Sequence, residues 1–195
     1  QSDRAKQAAW LPQVREIAWG LTVRDLVGLG RLPFGSLQEN DMHVEAAIIK
    51  MELSAFSDRI ATQLSGGEQA RVLIARALAQ DTSILMADEP TASLDPANQI
   101  STLKTFSELA KAGKGIIASI HDLGLAARYC TKLALLDRGK LVAFGPADAV
   151  LTPINLRTVF SIEAHYKNTK QGVIFQPLSV LKKSNKNFDQ GDTLK

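Results

Sequence analysis

Apolar residues along this chain fall into short continuous runs and longer stripes at helical spacing. The runs are "AAWLP" (8–12), "SILMAD" (83–88) and "GIIASI" (115–120). Each reads as a short buried strand: the first stops at Pro12, which cannot donate to a ladder, and the second is of the kind covered on both faces of a parallel sheet. The stripes predict helices. Thr22, with Asp25 three residues on, starts a short helix that runs through Leu29 into a Gly-Arg-Leu-Pro exit. A second covers about Asn40 to Met51. A third, over 65–80, carries Val72, Leu73, Ala75, Ala77 and Leu78 on one wide face. A fourth has Pro96 early, an apolar stripe of Ile100, Leu103, Phe106 and Leu109, and Gly113 as its stop. "DLGLAARYC" gives one more short helix, and "KLALLDRGKLVAFG" reads as two strands joined by a turn at Asp137-Arg138-Gly139. Alternating strands and helices imply an α/β fold with a mostly parallel sheet, right-handed crossovers, and binding sites at the strand C-terminal ends.

Composition narrows the class. The 195 residues are 45% apolar and 22% charged, enough for a real core. The net charge of +3 is spread along the chain rather than massed on a stripe, so no nucleic-acid partner is expected. Cys130 is the single cysteine, which allows no internal disulfide; it reads as a small apolar residue before a reactive thiol. No apolar run approaches the ~18 residues of a membrane span, so a soluble chain is expected, with any membrane association through a partner. From about Lys182 apolar residues thin out, and 182–195 is expected to be a disordered tail.

Three places carry candidate chemistry. The third helix opens "QLSGGEQ": Ser65 and Glu68 have the spacing of a capping box, but Gly66 and Gly67 each cost about 1 kcal/mol in a helix relative to Ala. Capping does not explain two glycines, whereas an unobstructed helix N-terminus is suited to a phosphate. Both readings stand at this level. "SILMAD" ends in Asp88, Glu89 and Pro90, and adjacent carboxylates past a buried strand oppose one another unless a cation resolves the conflict or solvent bathes the loop. His121 follows "GIIASI" and lies beside those acids if the strands are neighbours; a structural, hydrogen-bonded histidine is the plainer alternative.

"LSGGE", "ILMADEP", "TASLD" and "SIHD", in this order and at these intervals, resemble the ATP-binding subunit of an ABC transporter, from "AWLPQ" to about Gln176. The resemblance implies a P-loop NTPase-like α/β fold whose sheet is flanked by helices. It places one partial ATPase domain over 1–181, with an α-helical signature subdomain at about 20–64 and the catalytic α/β part at about 65–181. It also implies ATP and Mg²⁺ as cofactors. Ser65, Gly66 and Gly67 would then contact the γ-phosphate of an ATP held mainly by a second ATPase subunit in a head-to-tail dimer. Asp88 would be the Mg²⁺-associated acid, Glu89 the general base and His121 the switch histidine. Ser93, Leu94 and Asp95 would link the two sites, and Gln13 would approach Mg²⁺ and touch the membrane subunit. Further implied partners are integral-membrane permease subunits and, indirectly, a substrate-binding protein, with the chain peripheral on the cytoplasmic face of the membrane. "LTVRDLVGLGRLPF" and "HDLGLAARYCTKLALLDRGKLVAFG" are similar to importers of iron–siderophore complexes, haem and cobalamin. Non-transport relatives acting on DNA or ribosomes fit less well, because neither a long coiled coil nor a second cassette is present.

One part of the pattern is missing. No G-x-x-x-x-G-K-[ST] phosphate loop occurs in the 195 residues, and "AGKGI" (112–116) lacks both the hydroxyl and the upstream glycine. In the family that loop precedes the glutamine, along with N-terminal strands. The start at Gln1 rather than Met therefore leads us to expect a fragment, inactive alone, of a complete ATPase. The alternative is a truncated, non-catalytic module that pairs with an intact subunit.

Overall fold

In the computed structural model, residues 2–13, 17, 20–35, 41–92, 94–169 and 172–181 are described. The chain forms two compact units, 1–125 and 126–195. The first contains helix α1 (Ser2–Gln7), strand β1 (Ala8–Leu11), helices α2 (Val23–Gly28), α3 (Asp41–Lys50) and α4 (Gly66–Ala79), strand β2 (Ile84–Ala87), helix α5 (Pro96–Lys111) and strand β3 (Gly115–Ala118). β1, β2 and β3 make a wholly parallel sheet in that order, with Leu11, Ala87 and Ala118 in register at one end. Thr82 ties the other end, its Oγ1 accepting from the buried Ala9 N–H at 3.0 Å.

The predicted burial of β2 on both faces does not hold. Leu85 and Ala87, like Ala9 and Leu11 of β1, are buried, while Trp10, Met86 and Ile117, aligned across the three strands, are 54%, 37% and 60% exposed. Strand side chains alternate between faces, so packing on one row leaves the other row to solvent. α4 packs on β1 and α5 on β3.

The helices start where the side chains dictate. Thr22 caps α2 by accepting from the Asp25 N–H at 3.1 Å, and Asp95 caps α5 by accepting from Asn98 N–H at 3.0 Å, with Pro96 in the first turn where no N–H is needed. α5 stops just before Gly113, whose φ of +96° suits only glycine without strain. α2 stops one residue before the expected Leu29, and the exit is a tighter helical stretch over Leu29–Phe34. α2 and α3 pack on α4 to form a helical layer whose buried members include Val23, Val27, Ile48, Leu53, Val72 and Ile74. Each such side chain contributes roughly 1.5–3 kcal/mol on leaving water.

That layer grips the C-terminal end of α4. Arg31, 6% exposed, donates through Nη1 to the carbonyls of Ala79 and Gln80, both at 3.1 Å, and its guanidinium lies 4.1 Å from the Phe34 ring centroid. Beside it Gly30 passes so close that a Cβ there would stand 2.1 Å from the Arg76 carbonyl oxygen.

The second unit takes in the end of helix α6 (Leu123–Tyr129). Its strands β4 (Leu133–Asp137) and β5 (Lys140–Gly145) pair as an antiparallel hairpin, joined at Asp137-Arg138-Gly139 as expected. Strands β6 (Ile162–Thr169) and β7 (Gly172–Val180) form another, which the hydropathy pattern does not announce. Cys130 is half-buried, and burial pushes its thiol up, which suits a packing role. Residues 182–195, expected to be a disordered tail, lie outside the described residues. Among the described residues, no helix is long and apolar enough to cross a membrane.

Candidate functional site

The C-terminal ends of the three parallel strands bring half of the candidate residues to one end of the sheet. β1 leads through Pro12 to the exposed Gln13, β2 into Asp88 and Glu89, and β3 into Ser119 and, two residues on, His121. The Asp88 N–H donates to the Leu11 carbonyl at 2.8 Å and the Ser119 N–H to the Ala87 carbonyl at 3.0 Å, so the parallel ladder continues one step beyond the strands. The expected neighbourhood of His121 and the acids is therefore real: His121 Nε2 lies 2.6 Å from Glu89 Oε1. The two differ sharply in environment, with the imidazole 82% exposed and the carboxylate only 21%. A carboxylate sheltered by the sheet edge thus faces an imidazole standing out in solvent. Glu89 itself adopts φ +46°, the left-handed region that non-glycine residues occupy reluctantly.

Ser119 completes this group and was not singled out from the sequence. Its hydroxyl donates to Asp88 Oδ1 at 2.6 Å and accepts from the Glu89 N–H at 2.8 Å. The available signal was positional: it is the residue that register sets beside Asp88.

The LSGGE stretch lies with a different partner. Ser65 caps α4, and the capping box is complete: the Glu68 N–H reaches Ser65 Oγ at 3.4 Å, and Glu68 Oε2 accepts from the Ser65 N–H at 2.8 Å and from its hydroxyl at 2.7 Å. The bonds from Ser65 hold the Glu68 carboxyl below the usual carboxylate range. The two glycines have unlike surroundings. Among the described residues nothing stands within 4 Å of where a Cβ of Gly66 would be, whereas one on Gly67 would come 3.2 Å from Asn98 Nδ2 and 4.0 Å from Asp95 Oδ2. Gly67 therefore admits the start of α5 alongside the start of α4, and Asp95, its carboxyl lowered by bonds from Asn98, caps that neighbour. Gly66 leaves its stretch of backbone open, as an approaching anion requires. Candidates thus form two groups within this unit, Gln13, Asp88, Glu89 and His121 at the strand ends, and Ser65, Gly66, Gly67 and Asp95 at the paired helix starts. The turn after Glu89 runs between them; Ser93 lies outside the described residues.

No group of three or more His, Cys, Asp or Glu suited to a metal occurs among the described residues. Gln13, two residues past β1, and Asp88, directly after β2, follow the same end of neighbouring strands, and their carboxamide and carboxylate oxygens are of the hard donor type. That type fits Mg²⁺, which uses one or two protein oxygens and fills its remaining positions with water and phosphate.

Comparison with known proteins agrees with this picture. Residues 1–92 match the family described as ABC transporter. Among curated relatives, the hemin import ATP-binding protein HmuV of Pseudomonas putida is 41% identical over 167 residues, covering 83% of this chain and 66% of the relative. HmuV of Bordetella avium is 42% identical over 173 residues, with 82% and 66% covered. The chain spans 66% of the length of these relatives. Among solved structures, a metal-chelate type ABC transporter in an inward-facing conformation superposes with a TM-score of 0.78 at 26% identity, over 89% of this chain and 72% of the other. A dimeric ATP-binding cassette in a post-hydrolysis state, bound to ADP and Pi, gives 0.64 at 26% identity, over 75% and 65%.

Proposed function

This chain belongs to the ABC transporter family, and from that premise we propose that it is the ATP-binding, ATP-hydrolysing subunit that energises a membrane importer of iron–siderophore complexes, haem or cobalamin. Haem is favoured among the three, because the relatives named above are hemin import proteins. The observation that carries the catalytic reading is the 2.6 Å contact of His121 Nε2 with Glu89 Oε1, beside Asp88 on the end of a parallel strand.

In this reading Glu89 takes the proton of the attacking water, and His121 orients that carboxylate and senses the γ-phosphate. Asp88, with Gln13, would hold Mg²⁺, which supplies charge neutralisation at the phosphates. Ser65, Gly66 and Gly67 address the ATP of a second subunit in a head-to-tail dimer, and Asp95 links the two sites. The helices within about 20–64 form the signature subdomain, and about 65–181 the catalytic part. Gln13 meets the permease, and the subunit sits peripherally on the cytoplasmic face of the membrane.

The lysine-bearing phosphate loop is not among these 195 residues. Turnover is accordingly a property of an assembly that supplies it, and these residues alone are expected to bind nucleotide weakly and release no phosphate. The second reading, a non-catalytic module that pairs with an intact subunit, rests on the same missing loop. Glu89→Gln in the transporter assembly separates the two. The amide keeps shape and most hydrogen bonding but cannot accept the proton, so phosphate release should fall about 10²- to 10⁴-fold while ATP is retained. Release at the wild-type rate would remove Glu89 from the role of base and favour the pairing module.

A further inference from the structure

The left-handed backbone at Glu89 raises the question of what holds it there. A non-glycine residue at φ +46° costs of order 1–3 kcal/mol and persists where its surroundings over-determine it. Two backbone bonds fix this one: the Glu89 carbonyl accepts from the Ala92 N–H at 3.0 Å, and the Glu89 N–H donates to Ser119 Oγ at 2.8 Å. The same Ser119 oxygen donates its hydrogen to Asp88 Oδ1 at 2.6 Å. A hydroxyl has one hydrogen to give, and here it is committed to a carboxylate, in a charge-assisted bond of the strong class. Ser119 is itself placed by the sheet, through its N–H on the Ala87 carbonyl at 3.0 Å.

We propose that Ser119 is a positioning residue of the hydrolytic site, its hydroxyl joining the side chain of Asp88 to the backbone of Glu89 so that the two acids are held in one fixed geometry. The proposal rests on the ATPase reading given above. The bond to Oδ1 fixes the rotation of the Asp88 carboxyl group. The bond to the Glu89 N–H stabilises the turn that aims Glu89 Oε1 at His121. Neither β2 nor β3 alone could do this, because the acids lie on one strand end and the hydroxyl on the next. Ser119 touches no reacting atom in this scheme, and with its hydrogen engaged by Asp88 it is not arranged as a nucleophile.

Ser119→Ala, Ser119→Val and Ser119→Thr test this in the transporter assembly. Loss of a hydrogen-bonding partner behind a metal-associated carboxylate typically costs about 10- to 100-fold. For Ala and Val, kcat should fall by about that factor with the KM for ATP changed by less than about twofold, since ground-state binding is untouched. Thr, which keeps the hydroxyl, should restore most of the rate. Thermal midpoints should stay together, and the Glu89 amide should exchange faster in Ala and Val than in the parent or Thr. Wild-type kcat in Ala, a change confined to KM, or equal activity of Val and Thr would each overturn the role of the hydroxyl. A parent assembly with no Mg-ATP turnover would overturn the ATPase reading, and the positioning role would fall with it.

Discussion

At its C-terminal end α4 is clamped by another element, and at its N-terminal end it is capped by its own side chains. Arg31 reaches from the helical layer to the last carbonyls, and Gly30 presses backbone against backbone at Arg76. At the opposite end, about 20 Å away for a helix of this length, Ser65 and Glu68 satisfy one another, and Gly66 has open space beside it. The clamped end is the part of the helix that gives rigidity, and the open end is the part that can be presented to another molecule. The difference also separates two uses of glycine. Gly30 is small because a neighbour is close, and Gly66 is small where no neighbour among the described residues requires it.

Breaking the clamped end should have the largest effect. Gly30→Ala puts a Cβ against the Arg76 carbonyl, a backbone atom that cannot swing aside, so a loss of about 2–3 kcal/mol is expected in denaturant unfolding. A loss below 0.5 kcal/mol would mean that the layer and α4 are not tightly joined.

Ser65→Ala acts at the capped end and should cost about 1 kcal/mol. The effect should depend on pH. Because the folded state holds the Glu68 carboxyl below its unfolded value, the stabilisation is present above the usual carboxylate range and is lost as pH falls through the depressed folded value. The gap between the parent and Ser65→Ala should therefore narrow under acid, to the part owed to the bond from the Glu68 N–H to the Ser65 hydroxyl; a constant gap down to low pH would show that the bond to the Glu68 carboxylate contributes nothing.

Gly66→Ala should have the smallest effect on folding and the opposite sign. With none of the described residues near the added methyl, the helix should gain up to about 1 kcal/mol, visible as a raised unfolding midpoint. If that gain comes with slower turnover in the assembly, the glycine serves an approach from outside the chain rather than the fold.

The features legible in the sequence were those set by near neighbours. The capping box at Ser65 and Glu68, Pro96 at the start of α5, the stop at Gly113 and the turn at Asp137 to Gly139 depend on a few consecutive residues, and each stands where it was expected. The apolar runs at 84–87 and 115–118 were equally plain. Their exposure was not, since Met86 and Ile117 are as apolar as Leu85 and only packing tells the two rows apart. β7 escaped notice because Pro177 interrupts it and its side chains are mostly exposed; it pairs with Ala164 next to a register shift, where a missing N–H is tolerated. Ser119 stayed hidden for another reason. Serine carries no charge and fits no spacing rule, and its importance comes from a strand 31 residues away in sequence.

The Ala9 N–H and the Thr82 hydroxyl that close the sheet are 73 positions apart in the chain. Closing so long a loop carries an entropic cost before any ladder bond rewards it, and that sets an order of events during folding. The hairpin of β4 and β5, joined by a two-residue turn, can form in microseconds, whereas β1 must wait until the intervening helices have shortened the distance to β2. The row of Trp10, Met86 and Ile117 is then complete only once β1 has paired, and a chain halted just before that step would display the edge of β2 as a template for β1 of another molecule.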